Sequence, residues 1–354
     1  MLNQPKTFLN FYCLIWIITW FIAPTLYFGE TFFPQIPVLG NFEISQTIKF
    51  SITLIVFIAF AAVVLFKESN WIAYILFFSF LIWMLTDSLR LQAYFYQIFC
   101  FLLLFTFSKN NLSQNHRLLL ISVYCFSGIS KLNAYYFESI IPQLYQAYTW
   151  LPNVLSNALF LLAPFIEIFI ALCLLKNYKK LGILLVIFSH LFMILVIVSQ
   201  QNWVVLPWNI ALACMTCITL LTNESISIQL VRKNYWLGII SLLIPILAFT
   251  TFIPSYLGFQ VYSGTNGKAQ IYFGETAWNK FPGLVKKSYQ KVNQAQIISL
   301  NEWCFYENNC HIPLSIGYLK KISERMAIYG QPNEEIFVFY DKPRIFNSES
   351  IIIK

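Results

Sequence analysis

The sequence predicts an all-α polytopic membrane bundle of about nine transmembrane helices that carries a small α+β extracytoplasmic C-terminal domain. Three observations predict it. First, 58% of the 354 residues are hydrophobic, 18% aromatic and only 11% charged, with a mean hydropathy of +0.64, whereas a soluble chain carries roughly 25% charged residues. Second, the apolar residues recur in unbroken runs near the ~20 residues of helix that cross a hydrocarbon core. Such runs favour helices over a barrel, whose strands alternate. Third, composition shifts near Pro254: 12 Lys/Arg and 7 Asp/Glu lie in the first 253 residues, 11 and 8 in the last 101.

The spans are expected near Phe11–Phe28, Ile48–Phe66, Trp71–Thr86, Leu91–Phe107, Leu118–Lys131, Leu155–Leu175, Leu181–Ser199, Trp203–Leu221 and Trp236–Ile253. The third and fifth are short, so each is tilted, re-entrant or extended by a few polar residues. The first runs into Ala23-Pro24-Thr25 without a small-x-small cleavage site, which argues for a retained helix rather than a signal peptide. Alternating loops place Lys6, Lys67, Lys109, Arg117, Lys176, Lys179, Lys180, Arg232 and Lys233 on one side, against Lys49, Arg90 and Lys131 on the other. This bias puts the N-terminus in the cytoplasm and the C-terminal domain outside, in a multi-pass protein of the cell (inner) membrane. The net charge of +8 is spread over loops and tail without a basic stripe, so nucleic acid is not an expected partner.

The domains divide at residues 1–255 and 256–354. In the second, Tyr256–Gly264 and Lys268–Gly274 read as strands broken by Ser263-Gly264 and Asn266-Gly267. Leu284–Leu300 and Leu314–Tyr329 have helical spacing, and Glu335–Tyr340 reads as a strand. Cys304 and Cys310 are either a disulfide, which an extracytoplasmic compartment permits, or two unrelated small residues. Between the fifth and sixth spans, Ala134–Asn153 is too polar to cross and rich in Tyr135, Tyr136, Tyr145, Tyr148 and Trp150. A short interfacial helix over the outer mouth of the bundle is expected there.

Few ionisable residues lie in or beside the spans: Asp87, Arg90, Lys131, Glu167 and His190. Asp87 and Arg90 are three apart, spaced to pair on one turn or to build a structural turn between spans. Glu167 has apolar neighbours on both sides, so it is paired or protonated, either bridging helices or accepting a proton. His190 is a hydrogen-bonded packing residue or a catalyst. With His116 and His311 distant in sequence, no metal-ligand set emerges, and no metal is predicted. Cys214 and Cys217 form a C-x-x-C inside the eighth span, a candidate for thiol exchange with a quinone. Lys131 ends an apolar run, where it either snorkels to the headgroups or, desolvated, acts as a base. Ser127 and Gly128, one turn before it, let a neighbouring helix or an apolar ligand approach closely.

Tyr124, Ser127, Gly128, Lys131, Leu132, Asn133 and Ala134 reproduce a small-Gly-x-x-Lys-Leu-Asp-Ala motif, with Asn133 in place of the acidic residue. Asp87, Arg90, Gln92 and Tyr96 match a D-x-x-R-x-Q segment leading into an aromatic helix. Glu167, Lys179, Lys180 and His190 match a helix with Glu, a basic turn and a helix with His. In this order the chain resembles the HTTM family, the membrane domain shared with vitamin K-dependent gamma-carboxylases and related to DoxX-like and MauE-like proteins. The resemblance spans about Asp87 to Trp208. It implies a reduced naphthoquinone as cofactor, with Lys131 as the general base, His190 a polar pocket residue and Glu167 its partner. Ser127, Gly128, Asp87 and Arg90 would then border the cofactor. The chain departs from the carboxylases in having no histidine near Ala93–Tyr94 and no large substrate-binding region after the last span.

The leading expectation is therefore a quinone-using enzyme acting on an exported protein substrate at the outer face, with membrane lipids around it. The alternatives are a non-catalytic subunit or assembly factor that holds a membrane-complex partner, and a quinone-linked thiol redox protein working through Cys214 and Cys217.

Overall fold

Helices form at all nine apolar segments named above. The computed structural model describes residues 4–28, 31, 33–39, 44–66, 70–108, 111–146, 153–222, 235–249, 253–261, 263, 268–273, 279, 289–292, 295–326, 337–343 and 348–353. Lys67, Lys109, Tyr148, Trp150, Arg232, Lys233, Gly264, Asn266, Gly267 and Leu284 lie outside these residues.

The chain begins with α1 (Gln4–Ile22), a break at Ala23-Pro24 and the short α2 (Thr25–Phe28). The first predicted span thus starts earlier and stops at Ile22, because Pro24 has no N–H to continue the ladder. Next come α3 (Gln46–Leu65), α4 (Asn70–Leu85), α5 (Ala93–Phe107) and α6 (Leu112–Ser130). The fifth segment is longer than its apolar run suggested, since Asn115, His116 and Arg117 continue the helix inward and are buried. Arg117 serves as a staple rather than a loop charge: it donates to Leu174 O at 2.9 Å and Asn177 Oδ1 at 2.8 Å.

The interfacial segment forms a π-helical turn at Tyr136–Ile140 and α7 (Ile141–Gln146). It packs Tyr136, Ile141 and Leu144 onto Phe160 and Val196. Then follow α8 (Asn153–Lys176), α9 (Lys179–Ser199) and α10 (Val205–Leu221). The ninth segment runs from Tyr235–Gly238 through a π-helical turn at Ile239–Leu243 into Ile244–Leu247.

Among the described residues, three helices are long and apolar enough to cross a membrane: Gln46–Leu65, Asn157–Lys176 and Lys179–Ser199. Four shorter apolar helices accompany them. Large apolar side chains such as Phe21, Ile58, Leu65, Leu184 and Leu191 are exposed on the outside of this array.

The C-terminal residues build a five-stranded antiparallel sheet of order β2-β3-β1-β4-β5, from β1 (Lys268–Phe273), β2 (Tyr289–Val292), β3 (Ala295–Ser299), β4 (Phe337–Pro343) and β5 (Ser348–Ile353). Two expectations fail. Ser255–Gly258 is a 3₁₀ turn ending at Phe259 in the left-handed region (φ 57°), not a strand. Within the predicted helix Leu284–Leu300, the described residues 289–292 and 295–299 form the antiparallel strands β2 and β3, in which Tyr289 pairs with Ile298. Its helix-like spacing is overridden by cross-strand pairing. The helix instead starts at Leu300, where Ser299 Oγ caps Glu302 N. Leu300–Asn308 and the amphipathic Ile316–Met326 cover the sheet face formed by Ala269, Ile271 and Phe273.

This unit is docked at one end of the bundle. Gln92 Nε2 donates to His311 O (2.7 Å), Thr25 Oγ1 to Glu307 O (3.1 Å), and the Phe33 N–H to Glu307 Oε2 (2.7 Å). Asn133 Nδ2 donates to Ser263 O (3.0 Å) and the Lys321 ammonium to Pro37 O (3.2 Å).

Candidate functional site

The closest approach between α6 and α8 creates the site. Gly128 faces Pro164 so tightly that a Cβ there would lie 2.7 Å from the Pro164 carbonyl oxygen and 2.8 Å from Ile168 Cγ1. A small residue lets two helices meet without a side chain between them. One turn further along α6, Lys131 meets Glu167 of α8 at 2.8 Å.

Lys131 is the C-cap of α6, where the helix's free carbonyls favour a cation. Its ammonium donates to Glu167 Oε2 (2.8 Å), to Ser127 Oγ (2.8 Å) and to Ser127 O (3.2 Å). An ammonium has three N–H donors, so all three are engaged. The Lys131 side chain is 4% exposed and that of Glu167 17%. Snorkelling to the headgroups is thus not what Lys131 does here; it is held inward by its partners.

A second polar chain stands beside this pair. Tyr124 lies one helical turn before Ser127 and two before Lys131, so the three share a face of α6. Tyr124 Oη is 2.7 Å from His190 Nε2 and 3.1 Å from Thr216 Oγ1, and His190 Nδ1 is 3.0 Å from Asn209 Oδ1. The consistent assignment has Nδ1–H donating to Asn209 and Tyr124 O–H donating to Nε2, which makes His190 a neutral imidazole.

Lys131, Glu167, Ser127 and His190 line one cavity of about 50 Å³ with Tyr124, Asn209 and Trp208. The sequence named the first four as site candidates and Tyr124 only as part of the motif; it missed Asn209, Trp208 and Thr216. For Tyr124 the signal was present in the i, i+3, i+7 spacing with Ser127 and Lys131.

A larger cavity of about 270 Å³ adjoins it between the bundle and the C-terminal unit. The two share Val205, Trp208 and Val261 as walls. Tyr94, Asn202, Asn301, Cys310 and His311 also line the larger one. Tyr94 Oη and Asn301 Oδ1 are buried and have no hydrogen-bond partner among the described residues.

Asp87, Arg90 and Gly128 are not brought into the Lys131 cavity. Arg90 is fully buried and donates to Leu26 O (2.8 Å), Tyr27 O (3.0 Å), Trp83 O (2.9 Å) and Thr86 Oγ1 (2.6 Å), with its guanidinium over the Trp83 ring. Asp87 caps the 3₁₀ turn Ser88–Arg90 by accepting from Leu89 N (3.0 Å). The D-x-x-R segment is therefore a structural turn, and Gly128 serves helix packing. Among the described residues no group of three or more His, Cys, Asp or Glu is placed to hold a metal ion. Cys214 and Cys217 lie half-buried on α10 as free thiols.

Comparison of the chain with protein-family models, with curated proteins and with solved structures finds no match.

Proposed function

We propose that this chain is a multi-pass protein of the cell membrane, with its C-terminal unit outside, and an acid–base enzyme of the HTTM, gamma-carboxylase-like class. In this reading an apolar cofactor of the quinone class occupies the larger cavity, and a residue-borne base works from the smaller one. The observation that carries it is the convergence of Lys131, Glu167, Ser127 and His190, which lie on three helices and up to 63 positions apart, around a single cavity.

The residues fit such a group. Trp208, Val204, Val205 and Ile312 offer apolar walls, and the unpartnered Tyr94 phenol offers a hydrogen bond to a ring oxygen. Tyr94 also lies in the stretch near which the resemblance places the carboxylases' histidine, and would supply a polar group of another kind. When bound, a reduced quinone supplies an ionisable ring hydroxyl and two electrons.

The chain's own residues handle the proton. With all three N–H donors engaged, Lys131 accepts no proton until it gives one up. Glu167 Oε2, 2.8 Å away, is placed to receive it. The neutral amine would then carry a lone pair while Ser127 keeps the nitrogen beside the cavity. The neutral His190, fixed by Tyr124 and Asn209, offers a polar wall without adding charge.

The test is mass spectrometry of the protein purified in mild detergent, read for bound quinone. A stoichiometric quinone in the wild type that is lost in Val205→Trp, which fills the shared wall, supports the reading. No quinone, or equal retention in Val205→Trp, overturns it. Lys131→Ala should keep the quinone yet lose any activity on it, because Lys131 lines only the smaller cavity.

A further inference from the structure

Cys304 and Cys310 are the two cysteines outside the bundle, and the fold has brought them together. Their sulfurs are 3.7 Å apart and both residues are buried, at 0% and 3% exposure. The approach has a backbone cause. The helix Leu300–Asn308 stops at Asn309, which takes the left-handed conformation (φ 50°) and donates its N–H to Phe305 O at 3.0 Å. That turn folds Cys310 back over the last helical turn, towards Cys304.

We propose that Cys304 and Cys310 are a modification site, joined in an intramolecular disulfide that fixes one wall of the larger cavity. Cys310 lines that cavity together with Asn309 and His311, whereas Cys304 is enclosed behind it. The attacking sulfur is therefore Cys310. Its thiolate attacks one sulfur of a disulfide-bearing oxidant, breaking that S–S bond, and one thiol of the oxidant leaves with a proton. Cys304 then loses its proton and attacks the Cys310 sulfur of the mixed disulfide, displacing the second thiol. Two protein thiols become one disulfide, and the oxidant is reduced to two thiols.

The surroundings favour the closed form. Burial pushes the Cys304 thiol well above its usual range, and the nearby Asp87 and Glu307 carboxylates push it the same way. The resting Cys304 thiolate is thus disfavoured at this site, while an uncharged disulfide carries no such cost. The bond would tie the end of the docked helix to the segment that holds Gln92 through His311 O, and so link the cavity wall to the bundle. The inference rests on the reading that the C-terminal unit faces an oxidising extracytoplasmic space.

The experiment counts thiols. Membranes are denatured in excess N-ethylmaleimide, and the intact mass is read before and after reduction. Of the eight cysteines, six should be alkylated before reduction and eight after it, with the protected pair mapped to Cys304 and Cys310. Eight adducts before reduction, or a protected pair elsewhere, overturns the proposal. An alkaline phosphatase fused to the C-terminus reads the compartment separately. Active phosphatase with eight adducts removes the disulfide alone; inactive phosphatase removes the topology on which it rests. In Cys304→Ser, the native protein should take a maleimide at Cys310 through the cavity, and no labelling there would overturn Cys310 as the attacking sulfur.

Discussion

Removing the charge of Lys131 isolates what holds it inside the bundle. At 2.8 Å from Glu167, the Coulomb attraction is about 6 kcal/mol at an effective dielectric of 20. Desolvation of both groups offsets much of this, so the intact pair adds little net stability. Breaking it is different, because the surviving charge is left buried, a loss of ~3–5 kcal/mol. Glu167 is 17% exposed and Lys131 4%, so the stranded carboxylate recovers some solvation. Lys131→Met should therefore fall near the lower end, ~3 kcal/mol, and Glu167→Gln should be similar, since Ser127 still accepts from the ammonium. The double variant removes both charges and should cost only ~1 kcal/mol, giving a coupling of ~5 kcal/mol. Thermal melting in mild detergent reads this: roughly 5–10 °C lost in each single variant, mostly regained in the double. Additive losses, or a Lys131→Met melt within 2 °C of wild type, would show that the ion pair does not hold Lys131 inward and would remove the proton partner from the proposed mechanism.

Gly128→Ala places a methyl group 2.7 Å from the Pro164 carbonyl oxygen, a backbone atom that moves only with α8. It should cost ~1–3 kcal/mol and lower the melting temperature, and Gly128→Leu should abolish accumulation of folded protein in membranes. His190→Phe strips Asn209 Oδ1 of its partner and leaves Tyr124 with Thr216 alone. A loss of ~1–3 kcal/mol follows, and His190→Gln should restore part of it in the same melt. In reduced protein, the unfolded chain releases the Cys304 proton near pH 9 while the folded chain keeps it, because the folded-state value is raised. Stability is thus full below pH 9 and falls above it, by at most ~1.4 kcal/mol per pH unit. Chemical denaturation at pH 8 and pH 9.5 should show a steeper fall in reduced wild type than in reduced Cys304→Ala, and equal slopes would remove the Cys304 contribution.

Position along the chain was legible wherever local pattern decided the outcome. Apolar runs placed the helices, since in such runs the backbone has no better way to satisfy itself than the helical ladder. β1 read correctly because its alternation matches one buried face, and β4 pairs directly with it. The paired strands β2 and β3 did not read correctly, because their mixed polar spacing suits either structure and pairing with β1 decided it. The Ser299-x-x-Glu302 capping signal was there to be read and marks where the true helix begins.

The sequence by itself determined which residues were candidates for chemistry: a lysine, a glutamate and a histidine in apolar surroundings must find partners, and their scarcity made them conspicuous. Only the tertiary structure decided which of them meet. Glu167 reached Lys131 rather than Arg90 because Gly128 admits α8 at that level, while Arg90 is surrounded by the carbonyls of Leu26, Tyr27 and Trp83. The two adjoining cavities, the inward-held lysine and the facing thiols of Cys304 and Cys310 all arise from contacts between distant segments. Local sequence periodicity carries no record of such contacts, because they depend on how one helix face is rotated against another.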